Sequence, residues 1–287
     1  MRSKTLLVAG AAVAALALAG CGPSSIIGSA APQGQQVPQR SATQQDQAGK
    51  PASTVADLGA AVKQNTSQHN SVHVTMAMSV PEVGSINSTG DLTFSPSLAE
   101  HMTMAVPSLG NMETVLVNGT MYVKLPAQLA NLMGSTGKPW TKFDLGADNP
   151  LSASLGSTAD VAAQADPTKL LQQIAAGTIT KVTHGTVNGV AATHYTITVD
   201  VAKMVAAQSG DQAEEQALQQ LGVTSVPFDI WVDSNDLPLR IVTHVAYAEP
   251  GTNQSEQVTI TINYTDWGKP VTISAPPADQ VGSLDGH

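Results

Sequence analysis

The feature that most constrains the fold is a set of short runs in which apolar and polar residues alternate. In the run SVHVTMAMSV, the apolar positions are Val72, Val74, Met76, Met78 and Val80. Alternation with a period of two is typical of a β-strand with one buried face. Similar runs, such as AEHMTMAV and EQVTITINYTDW, recur along the chain and predict about nine or ten strands.

Turn signals between the runs indicate how the strands are connected. Asn118-Gly119 and Asn188-Gly189 each lie between two alternating runs, and a third turn spans residues 234–238. Asn-Gly is a strong hairpin signal because both central residues of a type I′ turn need a positive φ. Hairpins with few crossover helices predict a mainly antiparallel sheet.

Three helices are predicted beside this sheet, so the fold class is α+β. The first begins at Thr54, with Asp57 three residues later in a capping-box pattern. The second is capped by Asp166 and has Pro167 in its first turn, and the third spans residues 200–222 with a break near Ser209-Gly210. The Gly-, Ala- and Ser-rich residues 148–165 are interpreted as a mobile loop.

The N-terminus carries a targeting signal. Residues 6–19 contain no polar side chain and follow two basic residues, Arg2 and Lys4. This run is shorter than the roughly 20 residues of a membrane-spanning helix and fits the apolar part of a signal peptide. The following LAGC resembles the bacterial lipobox, which implies cleavage after residue 20 and a diacylglycerol group on Cys21. The alternative is that this single cysteine is an incidental small apolar residue.

The mature chain is then predicted to be extracytoplasmic and anchored to the outer face of the plasma membrane. After Cys21, residues 22–53 are rich in Gln, Ser, Ala, Pro and Gly, so residues 21–53 are interpreted as a flexible tether. Removing residues 1–20 takes away Arg2 and Lys4 and changes the net charge from −9 to −11. Such acidity argues against a nucleic-acid partner.

The sequence contains no recognised catalytic or cofactor motif, and neither an enzyme nor a cofactor is expected. His69 and His73 have a spacing that would suit a metal on a helix, but they span a predicted helix end and strand start. Asp229, Asp233 and Asp236 match no calcium loop, and turn formation explains Asp236 better. A metal site is therefore not predicted.

Methionines take an unusual share of the predicted strand faces. Five of them are at such positions: Met76, Met78, Met102, Met104 and Met121. Flexible thioether side chains suit a surface that adapts to apolar ligands of variable shape. The alternative is that they are ordinary core residues in a chain with only 3% aromatic residues.

Three segments resemble the LppX/LprG-type lipoprotein family of actinobacterial cell envelopes. They are GKPWTKFDL at residues 137–145, FDIWVDSNDLPLRI at residues 228–241, and NYTDWGKPVTISAPPADQV towards the C-terminus. The resemblance covers about residues 54–281, which form the predicted domain, with a tail at residues 282–287. It implies a strongly curved, antiparallel half-barrel with LolA/LolB-like architecture, in which helices cover the concave side and enclose an apolar cavity.

The resemblance also implies a lipid carrier. The expected function is binding the acyl chains of an envelope lipid or glycolipid and carrying it from the plasma membrane towards the outer envelope, with a membrane transporter as a further candidate partner. The alternative is a membrane-tethered structural or interaction lipoprotein without a ligand. Alternate strand residues are the candidates to line the cavity: Met76, Met78, Met102, Met104, Val115, Val117, Met121, Val123, Ile197, Ile230, Ile241 and Ile260.

Overall fold

A computed structural model of the protein describes most of the chain after residue 49. The described residues are 50–81, 84–95, 97–107, 110–132, 137–144, 166–208, 216, 218–248 and 255–282. Cys21, residues 21–49 of the tether and the loop at residues 148–165 lie outside them, so the expectations about these segments stay predictions. The last tether residues, 50–53, are described, and the backbone N–H of Ala52 donates a hydrogen bond of 3.0 Å to Tyr195 Oη, so this end of the tether lies against the domain.

The described residues form one 12-stranded sheet, two or three strands more than the sequence predicts. The strands are β1 (Ser71–Val80), β2 (Gly84–Thr93), β3 (Ala99–Val106), β4 (Gly110–Val117), β5 (Thr120–Lys124), β6 (Trp140–Asp144), β7 (Thr178–Val187), β8 (Val190–Asp200), β9 (Ser225–Val232), β10 (Pro238–Ala248), β11 (Ser255–Thr265) and β12 (Val281–Gly282). Their order is β12-β6-β5-β4-β3-β2-β1-β11-β10-β9-β8-β7. All neighbours are antiparallel except β12 and β6, which confirms the mainly antiparallel prediction.

The predicted strong curvature is not confirmed, because the sheet is not strongly curled. Sheets bend sharply at β-bulges, where one strand gains an extra residue. Among the described ladders, register shifts occur between Ile179 and Lys181 in β7 and between Pro238 and Arg240 in β10. The ladders joining β1 to β6 keep a continuous register, so this half of the sheet has no such bend.

Within the described ranges, four α-helices accompany the strands: α1 (Val55–Thr66), α2 (Ala127–Leu132), α3 (Pro167–Gln173) and α4 (Val201–Gln208), with a 3-10 helix at Ala278–Gln280. The predicted capping box of α1 is confirmed, since Thr54 and Asp57 each accept a backbone N–H of the other, at 3.0 and 3.2 Å. Asp166 caps α3 as predicted, accepting the backbone N–H of Thr168 at 2.9 Å. The sequence did not predict α2, and α4 ends just before the expected break at Ser209. None of the helices among these residues combines the length and apolar character that crossing a membrane requires.

Both predicted Asn-Gly turns are confirmed by their backbone angles. Asn118 and Gly119 have φ values of 53° and 73°, and Asn188 and Gly189 have φ values of 51° and 83°. Each pair connects two antiparallel neighbours, β4 with β5 and β7 with β8.

The main hydrophobic core lies between three of the helices and one half of the sheet. Leu58 of α1, Leu171 of α3 and Val205 of α4 are buried in one cluster with the inward residues of β1 and β8–β11. The face of the sheet that carries these inward residues is called the helix face below, and the opposite one the outer face. A second, smaller cluster on β4 and β5 is formed by Leu116, Met121 and Val123.

Candidate functional site

A row of flexible apolar side chains crosses the helix face between the two clusters. Met78 of β1 lies opposite Ile86 of β2 and Ile260 of β11. Facing residues of neighbouring strands place their Cβ atoms about 4.5–5.5 Å apart, so these three side chains share one surface. All three are half-buried.

The row continues across β2, β3 and β4. Met76 lies opposite Ser88, Ser88 opposite Met104, and Met104 opposite Met112. The set is called the methionine surface and comprises Met76, Met78, Ile86, Met104, Met112 and Ile260. Each of its members is half-buried, unlike the fully buried Val72 and Val74 nearer α1.

Most of the residues predicted to line a cavity lie on the helix face. Four belong to the methionine surface: Met76, Met78, Met104 and Ile260. Six are buried in the two clusters: Met102, Met121, Val123, Ile197, Ile230 and Ile241. The structure therefore divides these ten residues between a half-buried surface and a packed core.

Val115 and Val117 do not share this face. Val115 lies opposite His101, and Val117 lies opposite Thr120, which places both valines on the outer face. The run VLV is apolar in both alternating phases, so the sequence does not determine which phase turns inward. Leu116, between them, is the residue that faces the helix side.

A carboxyl group that sequence reasoning missed lies beside the methionine surface. Glu100 of β3 is 6% exposed and faces the helix side, opposite Leu92 of β2 and Leu116 of β4. Its Oε1 accepts a hydrogen bond of 3.4 Å from Thr114 Oγ1, and its Oε2 has no hydrogen-bond partner. The signal was present in AEHMTMAV, where Glu100 occupies the same alternating phase as Met102 and Met104.

The surroundings of Glu100 favour its neutral form. Burial raises the pKa of this carboxyl from 4.5 to about 7, and the hydrogen bond from Thr114 opposes part of that rise. The nearest titratable residues along β3 and β4, His101 and Glu113, face the outer side. The helix face therefore holds a proton-binding group amid apolar neighbours.

Glycine at position 90 lets β3 approach β2 closely at this point. A Cβ atom built on Gly90 would lie 2.6 Å from Met102 Sδ and would also overlap the backbone carbonyl of His101. Any larger residue would displace Met102 or part the two strands. Gly90 thus permits the close spacing between β2 and β3, the strand on which both Met104 and Glu100 lie.

Two grooves lie on the outer face. The larger, of about 470 Å³, is lined mainly by small polar residues, including Thr75, Thr89 and Thr103, with Met76 at its edge. The smaller, of about 230 Å³, lies beneath residues 272–277 and includes Val115. Of the twelve predicted lining residues, these grooves contact Met76 and Val115 alone.

The histidines and aspartates weighed as metal ligands have other partners. His73 Nδ1 contacts Asp91 Oδ1 at 2.8 Å, whereas the His69 ring packs edge-on against Trp267. Asp233 accepts the backbone N–H of Leu237 at 2.9 Å and so supports the turn. No group of three side chains suited to hold a metal is found in the described part of the chain.

Asp229 forms a cluster on the outer face that sequence reasoning also missed. Its Oδ1 contacts His194 Nε2 at 2.6 Å and accepts a hydrogen bond of 2.9 Å from Thr196. The His194 ring stacks on Trp231, with centroids 4.1 Å apart. Cross-strand pairing of β8 with β9 explains this cluster as a stabilising feature of the sheet.

Comparison by sequence gives one partial relative. An uncharacterized 31.2 kDa protein of Streptomyces griseus, from the rplA-rplJ intergenic region, is 39% identical over 110 residues. The match covers 37% of this chain, and the chain spans about a third, 34%, of that protein's length. No family model matches the chain.

Comparison by structure finds known lipoproteins. The chain is similar to LppX and LprF. LppX of Mycobacterium tuberculosis superposes with a TM-score of 0.43 and 16% identity, covering 75% of this chain and 94% of LppX. LprF of Mycobacterium bovis superposes with a TM-score of 0.42 and 17% identity, covering 79% of this chain and 99% of LprF. A LolA superfamily protein, NE2245 of Nitrosomonas europaea, superposes with a TM-score of 0.24 and 9% identity, covering 76% of this chain and 96% of NE2245. LppX-type proteins, which the sequence resembles, are among the structures to which this chain is similar.

Proposed function

We propose that this protein is a cell-envelope lipoprotein that binds the acyl chains of a lipid or glycolipid and carries the lipid from the plasma membrane towards the outer envelope. The observation that carries the proposal is the methionine surface, a set of half-buried apolar side chains across β11, β1, β2, β3 and β4, in which the buried Ser88 lies between Met76 and Met104. It adjoins the main core, because Met76 and Ile260 pack against that cluster.

The chemistry of these side chains suits acyl chains of differing shape. Methionine is unbranched and polarizable, so Met78, Met104 and Met112 adjust to irregular apolar partners more readily than branched residues do. Each methylene that leaves water gains about 0.8 kcal/mol whether it enters a bilayer or a protein surface. Moving a lipid between the two is therefore close to balanced and requires no cofactor.

Anchoring at the membrane completes the proposed mechanism. Acylation of Cys21 would hold the domain at the outer face of the plasma membrane, since a diacylglycerol supplies two chains where one gives only marginal binding. A flexible tether of residues 22–53 has an average span of about 30 Å, by the scaling of disordered chains. The domain at residues 54–281 can then dock on the membrane, take up a lipid and move away.

Lipid that co-purifies with the protein provides the test. Residues 21–287 with Cys21→Ser would be expressed in an envelope-lipid-producing actinobacterium and analysed by native mass spectrometry, followed by solvent extraction. The proposal predicts a lipid in a one-to-one complex, which is lost on extraction and regained on incubation with vesicles. Protein that stays free of lipid after both steps would refute it.

The alternative, a tethered interaction lipoprotein without a ligand, is favoured by one observation. Ile197, Ile230 and Ile241 are at most 2% exposed and are packed into the main cluster. This half of the helix face is therefore filled by the protein's own helices. Any lipid must lie on the methionine surface, and ligand-free protein in the experiment above would support the alternative.

A further inference from the structure

We propose that the Glu100 carboxyl is a polar subsite for the lipid and accepts a hydrogen bond from a hydroxyl group of its head. The ligands selected would be neutral lipids with a free hydroxyl, such as diacylglycerols and glycolipids. This inference rests on the proposed function and specifies the ligand class of the same surface.

The position of the carboxyl connects it with the methionine surface. Glu100 lies opposite Leu116 in the register, yet its hydrogen bond reaches Thr114, one step along the same face of β4. The next residue on that face is Met112, which lies opposite Met104. The side chain is thus directed along the strands towards the half-buried methionines.

The unpaired Oε2 of Glu100 indicates which kind of group a ligand would supply. A buried acceptor without a partner costs about 1–3 kcal/mol, and such atoms are rare in folded proteins. Glu100 Oε2 is such an atom in the described structure, whereas Oε1 accepts a long hydrogen bond of 3.4 Å from Thr114. Once the carboxyl is ionised, above its pKa of about 7, Oε2 is only an acceptor, and a donor brought by the ligand would satisfy it.

A hydroxyl group fits this oxygen better than a charged group does. An ammonium head would have to lose its water among Leu92, Leu116 and Met102, which is costly for an ion. A phosphate diester offers only acceptors and a negative charge. A hydroxyl supplies a donor to the ionised carboxyl without burying a second charge.

The test compares two lipids that differ only at the hydroxyl. At about pH 8, where the Glu100 carboxyl is ionised, residues 21–287 with Cys21→Ser would be offered 1,2-dioleoylglycerol and its 3-acetyl ester in equal amounts, and the bound ratio read by native mass spectrometry. One hydrogen bond predicts about a tenfold preference for the free hydroxyl. Glu100→Met, which keeps the length but removes the acceptor, should bring the ratio to about one, whereas Glu100→Gln should keep the preference.

The outcomes separate this inference from the proposed function. Glu113→Met is the matched control, because Glu113 also lies on the sheet but on the outer face, and it should leave the ratio unchanged. If the protein without a change at position 100 binds both glycerides equally, the subsite is refuted while lipid binding stands. If it binds neither, the proposed function fails, and the subsite with it.

Discussion

Thr114 donates a hydrogen bond of 3.4 Å to Oε1 of Glu100 and leaves Oε2 of that carboxyl without a partner. The pair lies on the helix face of β3 and β4, where burial raises the pKa of Glu100 from 4.5 to about 7. A carboxyl in this position takes up a proton when the chain folds. The stability of the protein should therefore carry a measurable pH dependence from this one group.

The free energy of unfolding should fall between pH 5 and pH 7 because of Glu100. In this range the carboxyl is ionised in the unfolded chain but protonated in the folded one, so raising the pH favours unfolding. The slope is about 1.4 kcal/mol per pH unit, ending near pH 7. Urea unfolding at several pH values gives this curve.

Glu100→Gln isolates the contribution of Glu100 to the pH dependence of stability, since glutamine keeps the shape of the side chain and cannot ionise. The stability of the original protein relative to this variant should decline from pH 5 to pH 7 and stay constant above. Parallel curves for the two proteins would mean that the folded protein carries an ionised Glu100 at pH 5.

Gly90→Ala should destabilise the sheet by about 1–3 kcal/mol, the usual cost of overpacking. The new methyl group would lie 2.6 Å from Met102 Sδ and against the backbone of β3. Gly185→Ala in β7 is the matched control, because a Cβ there meets nothing within 4 Å. Thermal unfolding of both variants measures the difference, and equal melting temperatures would show that β2 and β3 adjust without cost.

Local rules predicted much of the fold. The cap at Thr54, the cap at Asp166 and the turns at residues 118–119 and 188–189 depend on a few neighbouring residues, and each is found in the structure. The strand β2, GSINSTGDLT, was not singled out, because it is largely polar and is held by its two neighbours rather than by its own pattern. The strong curvature that the family resemblance implies is not confirmed, and alternation gives no check on it because a sheet bends at bulges that alternation does not show.

The candidate site was harder to predict, because it depends on which face each strand turns inward. Met76, Met78 and Met104 follow a clear alternation, and the structure places them on one surface. Val115 and Val117 belong to a run that is apolar in both phases, and they lie on the other side. The free oxygen of Glu100 results from packing between distant segments, which a single sequence does not encode locally.

Cys21→Ser should release the protein from the membrane without unfolding it. The thiol is the proposed attachment point for the lipid anchor, and removing it leaves the domain at residues 54–281 unchanged. Fractionation of cells should place the variant in the soluble extracytoplasmic fraction, with the same melting temperature as the detergent-extracted protein. A variant that stays with the membrane, or that loses its fold, would contradict the tether.

Met104→Trp should reduce lipid loading, whereas Val117→Trp should leave it unchanged. Both residues are half-buried and lie on adjacent strands, but Met104 belongs to the methionine surface and Val117 faces the outer side. A tryptophan at position 104 fills space that the acyl chains would occupy, so the bound lipid should fall severalfold with a stability loss below the about 1–3 kcal/mol of an overpacked core. Val117→Trp should load normally. Native mass spectrometry measures the bound lipid, and thermal unfolding measures the stability. Equal loading of the two variants, or a large stability loss for Met104→Trp alone, would mean that Met104 lies in a filled core. The methionine surface would then have no room for a lipid.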